Sequence, residues 1–317
     1  MRQTYPAISR IQAFRFRLIY RKDRSTPNKN NSCTYPGISQ AAASYMGKDM
    51  RQILQRFRKV LVLILLCCPY APAQSGNVLS CDTQTAFVAD RPGQTTPPVL
   101  VAKGVLQVES GVWAEQSRSD GQSQTSWLYP TTLVRIGIQQ NFELRIQCDI
   151  AGVPAQENRT SSYVTGVSGI SIGSKFPMIE ENGFIPKTAF LASVKLPSIG
   201  NPSLRPSYLA PSIGLCFQNT FNDNWSLGYE ANSSWDGENA ASQQLLSASL
   251  NYAISSRIGS FVEYYLTTGE TTDPAHAVDF GISYLLLKNL QIDITGGFGL
   301  NVKSFDSGFG IGIAWQI

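Results

Sequence analysis

Twelve ionisable residues recur at alternate positions within otherwise apolar runs: Glu109, Arg135, Glu143, Arg145, Asp149, Lys175, Lys187, Lys195, Glu230, Glu263, Asp279 and Asp293. Phe142–Ile150 is the clearest case, with Phe142, Leu144, Ile146, Cys148 and Ile150 alternating with Glu143, Arg145, Gln147 and Asp149. A charge at every second position means that one face of an extended strand meets water and the other does not. Arg135 and Glu143 flank the short stretch 139–141, so they are placed to pair across two strands. Two kinds of chemistry fit such a face. One is a mixed-charge pore lining that sorts solutes by charge and size, for which Glu109, Arg135, Glu143 and Arg145 are the leading residues. The other is a set of ion pairs that fills and braces a narrow interior. The spacing is compatible with both.

Catalysis is the rival chemistry. The one histidine of the chain, His276, falls in a stretch read as a loop, beside Asp273 and Pro274. With no histidine on a strand, no wall-borne Ser–His pair is expected. Glu143 and Asp149 are a carboxylate pair of a type that does acid–base work, but carboxylates this scattered read as lining. No Cys, His or acidic cluster has metal-ligand spacing, and no cofactor is implied. Cys148 and Cys216 are expected on apolar strand faces, as small apolar residues.

The elements that must position these charges are strands. Alternation with period two runs through Gly104–Glu115, Trp127–Ile138, Phe142–Ile150, Tyr163–Phe176, Phe184–Leu196, Tyr208–Thr220 (split by Pro211), Trp225–Trp235, Gln244–Ile254, Ile258–Thr268, Ala277–Leu286, Leu290–Leu300 and Phe309–Ile317. In the last of these, Phe309, Ile311, Ile313, Trp315 and Ile317 share one face, and Gly310, Gly312, Ala314 and Gln316 the other. That small face is expected to meet a lumen without obstructing it. An apolar-faced strand at an open edge invites aggregation, whereas a closed barrel has no edge. Connections near 139–141, 177–183, 221–224, 255–257 and 287–289 are short. Those at 116–126, 151–162, 197–207, 236–243, 269–276 and 301–307 are longer and polar. Phe142, Phe176, Phe184, Trp225, Tyr252, Tyr284 and Trp315 gather near the short turns, as an interfacial girdle does. The expected fold is all-β: a transmembrane antiparallel up-and-down barrel of about 12 strands, with short periplasmic turns and longer extracellular loops. A soluble β-sandwich does not account for the strands, loops and leader together.

The net charge of +4 mixes two regions. Residues 1–73 hold 13 Lys/Arg and two acids, and residues 74–317 hold 13 Lys/Arg and 20 Asp/Glu, so +11 and −7 sum to +4. The basic region is the one expected to be removed, so nucleic acid is not an expected partner. Arg51, Arg56, Arg58 and Lys59 precede the apolar run Val60–Cys68, and Ala71-Pro72-Ala73 follows with small residues for cleavage before Gln74. This is a secretory signal peptide over 50–73. Residues 1–49 read as an upstream extension from a mis-called start, or as a disordered one. Residues 74–103 contain Asp90-Arg91-Pro92-Gly93-Gln94 and the pair Pro97-Pro98. Such density of Pro forbids regular structure, so this is an extended segment that leads to the first strand or lies within the barrel mouth.

Asp90-Arg91-Pro92-Gly93-Gln94 ahead of Lys103-Gly104 resembles the outer-membrane transporter family called "MetA-pathway of phenol degradation". So do Arg135-Ile136-Gly137 with Phe142-Glu143-Leu144-Arg145, and the late runs Asp279-Phe280-Gly281 and Gln291-Ile292-Asp293. The resemblance covers roughly residues 85–317. It implies an outer-membrane channel for small solutes, with aromatic or other hydrophobic compounds suggested by the family's name. The alternative is a non-conducting barrel that binds or braces through its loops. Expected partners are outer-membrane lipid, a small-molecule solute and the barrel-assembly machinery. That machinery would read Phe309, Ile311, Ile313, Trp315 and Ile317, where Ile317 departs from the terminal Phe common in bacterial barrels.

Overall fold

A computed structural model describes residues 87–119, 122–155, 162–270 and 272–317. The basic extension 1–49, the expected export signal 50–73 and residues 74–86, with Cys81, lie outside the described residues. Twelve strands follow one another: β1 Leu106–Ser119, β2 Gln122–Gln139, β3 Phe142–Ala155, β4 Ser162–Ile179, β5 Lys187–Lys195, β6 Ala210–Thr220, β7 Trp225–Trp235, β8 Ser242–Ala253, β9 Ile258–Gly269, β10 Thr272–Leu287, β11 Leu290–Gly299 and β12 Ser307–Gln316. Each pairs antiparallel with its sequence neighbour, and β12 pairs back to β1, so the sheet is a closed barrel.

Closure follows from the alternation. On β12, Phe309, Ile311, Ile313, Trp315 and Ile317 stand exposed on the outer face, joined around the wall by Ile292, Ile294, Phe280, Ile282 and Val262. Charged and polar residues of the opposite parity are buried inside. A water-soluble protein keeps large apolar groups in and ionised groups out. The reverse arrangement, with no free edge, is what hydrocarbon solvent selects. At the short-turn end, Phe142 packs on Phe176 with centroids 5.2 Å apart, and Trp225 on Tyr252 at 4.5 Å, as the aromatic girdle requires.

Several sequence boundaries are corrected. β1 and β2 continue to Ser119 and from Gln122, so 116–126 is not a loop; Gln116 pairs with Thr125 inside the ladder. β9 and β10 likewise run to Gly269 and from Thr272. At about 3.3 Å per residue, the 18 residues of β2 exceed the 9–11 needed to cross a bilayer. The excess stands beyond the lipid, where the outer face needs no apolar residue and the period-two signal fades. His276 therefore lies on β10, not in a loop; its Nδ1 is 2.6 Å from the Tyr264 hydroxyl at the outer end of the wall. Pro211 does not split β6: it is the strand's second residue, paired with Val194. Phe184 belongs to the turn before β5 and is fully exposed there.

Candidate functional site

Residues 87–103 hold no strand and fold back into the lumen from the short-turn end. Their exit is fixed where Gly104 N–H donates to Gly137 O at 2.7 Å and where Leu106 and Ile317 exchange backbone bonds of 3.1 and 2.7 Å. A segment with Pro92, Pro97 and Pro98 makes no ladder of its own, yet its buried N–H groups need acceptors. The wall supplies carboxylates. Glu109 of β1 accepts from Asp90 N–H at 3.1 and 3.0 Å and from Arg91 N–H at 3.0 Å. Glu143 of β3 accepts from Val101 N–H at 2.8 Å, and Glu230 of β7 from Thr96 N–H at 2.8 Å. Glu263 of β9 takes the N–H groups of Gln94 and Thr95, both at 2.6 Å, and the Thr95 hydroxyl as well. Arg91 reaches the wall with its own side chain, forking onto Asp293 of β11 at 3.2 and 3.0 Å.

Wall cations take the opposite groups of the segment. Arg135 of β2 donates to Val88 O and Val99 O, both at 3.0 Å, and its Nη1 lies 2.9 Å from Asp90 Oδ1. The same guanidinium grips Glu143 with two bonds of 2.9 Å, the cross-strand pair expected from the sequence, and Glu109 at 3.1 Å. Lys175 of β4 reaches Asp90 at 3.1 Å, Pro97 O at 2.9 Å and Val99 O at 3.3 Å. Arg145 of β3 joins Asp90 at 2.5 Å and Glu143 at 2.7 Å. Asp90 is thus the hub of the segment. Burial would raise its pKa, but Arg135, Arg145 and Lys175 together hold it well below the usual carboxylate range.

The remaining expected residues divide. Asp149 of β3 is buried and accepts from Gln147 Nε2 at 2.9 Å. Lys195 of β5 is buried, farther from the short turns than Lys175. Asp279 of β10 is buried opposite Glu263 in the register. Lys187 is set apart from the network: it sits at the rim and pairs with Glu180 at 3.1 Å. Cys216 is buried on the inner face opposite Glu230, a correction to its expected apolar face, because β6 alternates from Ala210 with the even-numbered residues inward. Cys148 faces outward among Ile146 and Ile150, and both thiols are free.

Nearer the long loops the lumen changes character. Trp113, Leu128, Val153, Leu245 and Tyr265 point inward, and Leu204 and Phe305, from the β5–β6 and β11–β12 connections, are buried over them. Phe305 meets Trp113 edge to face, with centroids 6.4 Å apart. These residues were missed by sequence reasoning, although a signal exists. Trp113 shares its parity with Glu109 and Glu115, and Tyr265 with Glu263, so each is an aromatic on the polar face of its strand. The small face of β12 was expected to leave the lumen clear. It is instead a floor for large groups: a Cβ at Gly308 or Gly310 would overlap the Trp113 ring, and one at Gly111 or Gly312 the Arg91 guanidinium.

The barrel is similar in fold to the crystal structure of an outer membrane channel from Pseudomonas putida F1, with a TM-score of 0.53 and 12% identity, covering 69% of this chain and 97% of that one. It is also similar to the NanC porin (TM-score 0.47, 10% identity, 67% of this chain and 100% of that one) and to the KdgM porin (0.43, 12%, 66% and 98%). Among curated proteins none matches the chain. Residues 89–317, which hold the anchored segment from Ala89 onward and the whole barrel, match the family described as "Putative MetA-pathway of phenol degradation", and the chain belongs to that family.

Proposed function

We propose that the protein is an outer-membrane channel for the passive passage of small solutes, with aromatic and other apolar compounds favoured. One observation carries this reading: Trp113, Leu204, Leu245, Tyr265 and Phe305 form an apolar cluster in the long-loop half of the lumen. A charged solute would shed hydration there without compensation, while an apolar one would not. Leu204 and Phe305 sit on connections, the parts of a barrel best able to move. Asp149 and Lys195 are our choice for charged groups that line the path; Glu109, Arg135, Glu143, Arg145, Lys175, Glu230, Glu263 and Asp293 anchor residues 87–103. The histidine lends catalysis no support, since it sits on the outer face beside Tyr264. Export by the 50–73 signal, residence in the bacterial outer membrane and recognition of Phe309–Ile317 by the assembly machinery complete the proposal. Removal of Trp315–Ile317 is expected to abolish insertion.

A second reading has one observation in its favour. Both halves of the lumen are occupied, by residues 87–103 at one end and by Leu204 and Phe305 at the other, as in a non-conducting barrel that works through its loops. Planar-bilayer conductance and liposome swelling with the refolded protein separate the two. Conductance, and uptake that rises with solute apolarity, support the channel. A silent bilayer with no swelling for any small solute supports the second reading.

A further inference from the structure

The anchored segment does not fill the short-turn half evenly. On the β1–β4 side it is held against Glu109, Arg135, Glu143 and Lys175. On the β7–β10 side a cavity of about 370 Å³ lies between it and the wall. Its wall is of a different chemistry. Ser226, Ser249, Asn251, Ser283 and Gln291 offer hydroxyls and amides, Phe261 offers a ring, and Asp223, in the turn between β6 and β7, is the one wall residue around it that carries a charge. The segment turns Phe87 and the stretch from Val88 to Gly93 toward it. Thr95 and Pro97 border this cavity, and Thr96, between them, borders a second of about 40 Å³ beside Arg145 and Asn232.

We infer that this vestibule is a binding station for small neutral molecules that join an apolar or aromatic body to hydroxyl or amide groups, and that solute passes beside residues 87–103 while they stay seated. The inference rests on the channel reading above and names its route. Two features carry it. Expelling the segment would break at once the bonds that Glu109, Glu143, Glu230 and Glu263 accept from its N–H groups and the ion pairs of Arg91 with Asp293 and of Asp90 with Arg135, which is costly in sum. The wall offers mainly uncharged donors and acceptors, Asp90 and Arg91 of the segment are already paired, and Asp223 alone adds a charge from the wall, so a cavity of small-molecule size suits a neutral polar solute better than an ion. The segment's role is then to narrow and shape the passage.

The test uses the refolded full barrel in liposomes, with the native cysteines replaced by serine and phenyl glucoside, which has an aromatic body and several hydroxyls, as the neutral probe. Thr95 and Ser247 hydroxyls are 2.7 Å apart, so Thr95→Cys with Ser247→Cys can be oxidised to pin the segment to β8. Swelling in phenyl glucoside is expected to be the same oxidised and reduced. Asn251→Cys, modified with a bulky neutral methanethiosulfonate, is expected to lose swelling and to regain it on reduction; Ser249→Trp is expected to lose it without reagent. Swelling that vanishes on oxidation of the 95–247 pair and returns on reduction would show that the segment must leave, and would overturn the inference. So would swelling that survives both Asn251 modification and Ser249→Trp. A parent barrel that passes no solute of any kind overturns the channel reading and the route with it, an outcome distinct from a conducting barrel indifferent to the vestibule.

Discussion

The two halves of one lumen are closed by opposite means. Toward the short turns the inner face of the strands is ionised, and it holds a stretch of chain with no secondary structure. Toward the long loops the same face carries a cluster of large apolar side chains beside the buried Glu115 and Lys195, and it holds side chains that descend from two connections. The difference follows from what each half must satisfy. Residues 87–103 bring bare N–H and C=O groups into a dry interior, and only strong acceptors and donors at fixed positions can meet them. Leu204 and Phe305 bring side chains alone, and apolar surface suffices. Charge is therefore densest where backbone is buried, and aromatic area where backbone is not.

The largest expected effect breaks the ionised half. Arg135→Met keeps length and removes the charge that Asp90, Glu109 and Glu143 share. Loss of one partner from a buried ion pair costs about 3–5 kcal/mol. The segment should lose protection in hydrogen exchange over 87–103 while the strand ladders keep theirs. Equal loss throughout the barrel would mean that Arg135 supports the wall and not the segment.

Acid should act on the same half more gently. Asp90 has its folded pKa held below its ordinary value of 3.8, so the stability it contributes is fully present above that pH and is lost as pH falls through the lower folded value. The part of segment protection that Asp90 contributes should stay flat from neutral pH to about pH 4 and fall only in stronger acid. Asp90→Asn should remove that acid step and loosen the segment by about 3 kcal/mol at pH values above it, with the difference from the parent closing in stronger acid. A protection loss centred near neutral pH would show that another group controls seating.

The apolar half should answer to volume instead. Leu204 is buried over Trp113 and Tyr265, and Leu204→Ala should cost about 2–3 kcal/mol in the cap, while Leu204→Met should cost less than about 1.5. Uptake of apolar solutes should rise with the first and not with the second, and neither should change with salt. A salt-dependent response would erase the contrast between the halves.

Much of this was legible beforehand. Period two over Phe142–Ile150 and Phe309–Ile317 sets strand, face and inward charge, because a one-residue slip would place Glu143 or Arg145 in lipid. The Arg135–Glu143 contact followed from two charges beside a short turn. What the charges hold was not legible. Glu263 and Glu230 meet backbone N–H groups more than a hundred residues away, and no local pattern encodes that meeting. Trp113 was hidden for the opposite reason: its parity was readable, but an aromatic on the polar face contradicts the barrel's own rule until the loop residue that covers it, Phe305, is in place.

The smallest expected effect sharpens the comparison by using one interaction in two settings. Lys303 and Asp273 form an ion pair at the long-loop rim with a separation of 2.6 Å, shorter than the 3.0 Å between Arg91 and Asp293 in the lumen. Separation alone would rank the rim pair first. Its side chains, however, are 51% and 67% exposed, against 10% and 0% for the buried pair. Water and salt screen the rim pair, and its long lysine side chain gives up rotamer freedom to form it, so it should contribute between about 0 and 1 kcal/mol. Lys303→Ala should leave the unfolding midpoint in urea unchanged within error, whereas Arg91→Ala strands a buried carboxylate and should lower segment protection measurably. If the two variants behave alike, burial is not what separates these pairs, and the ionised half of the lumen holds its segment by shape more than by charge.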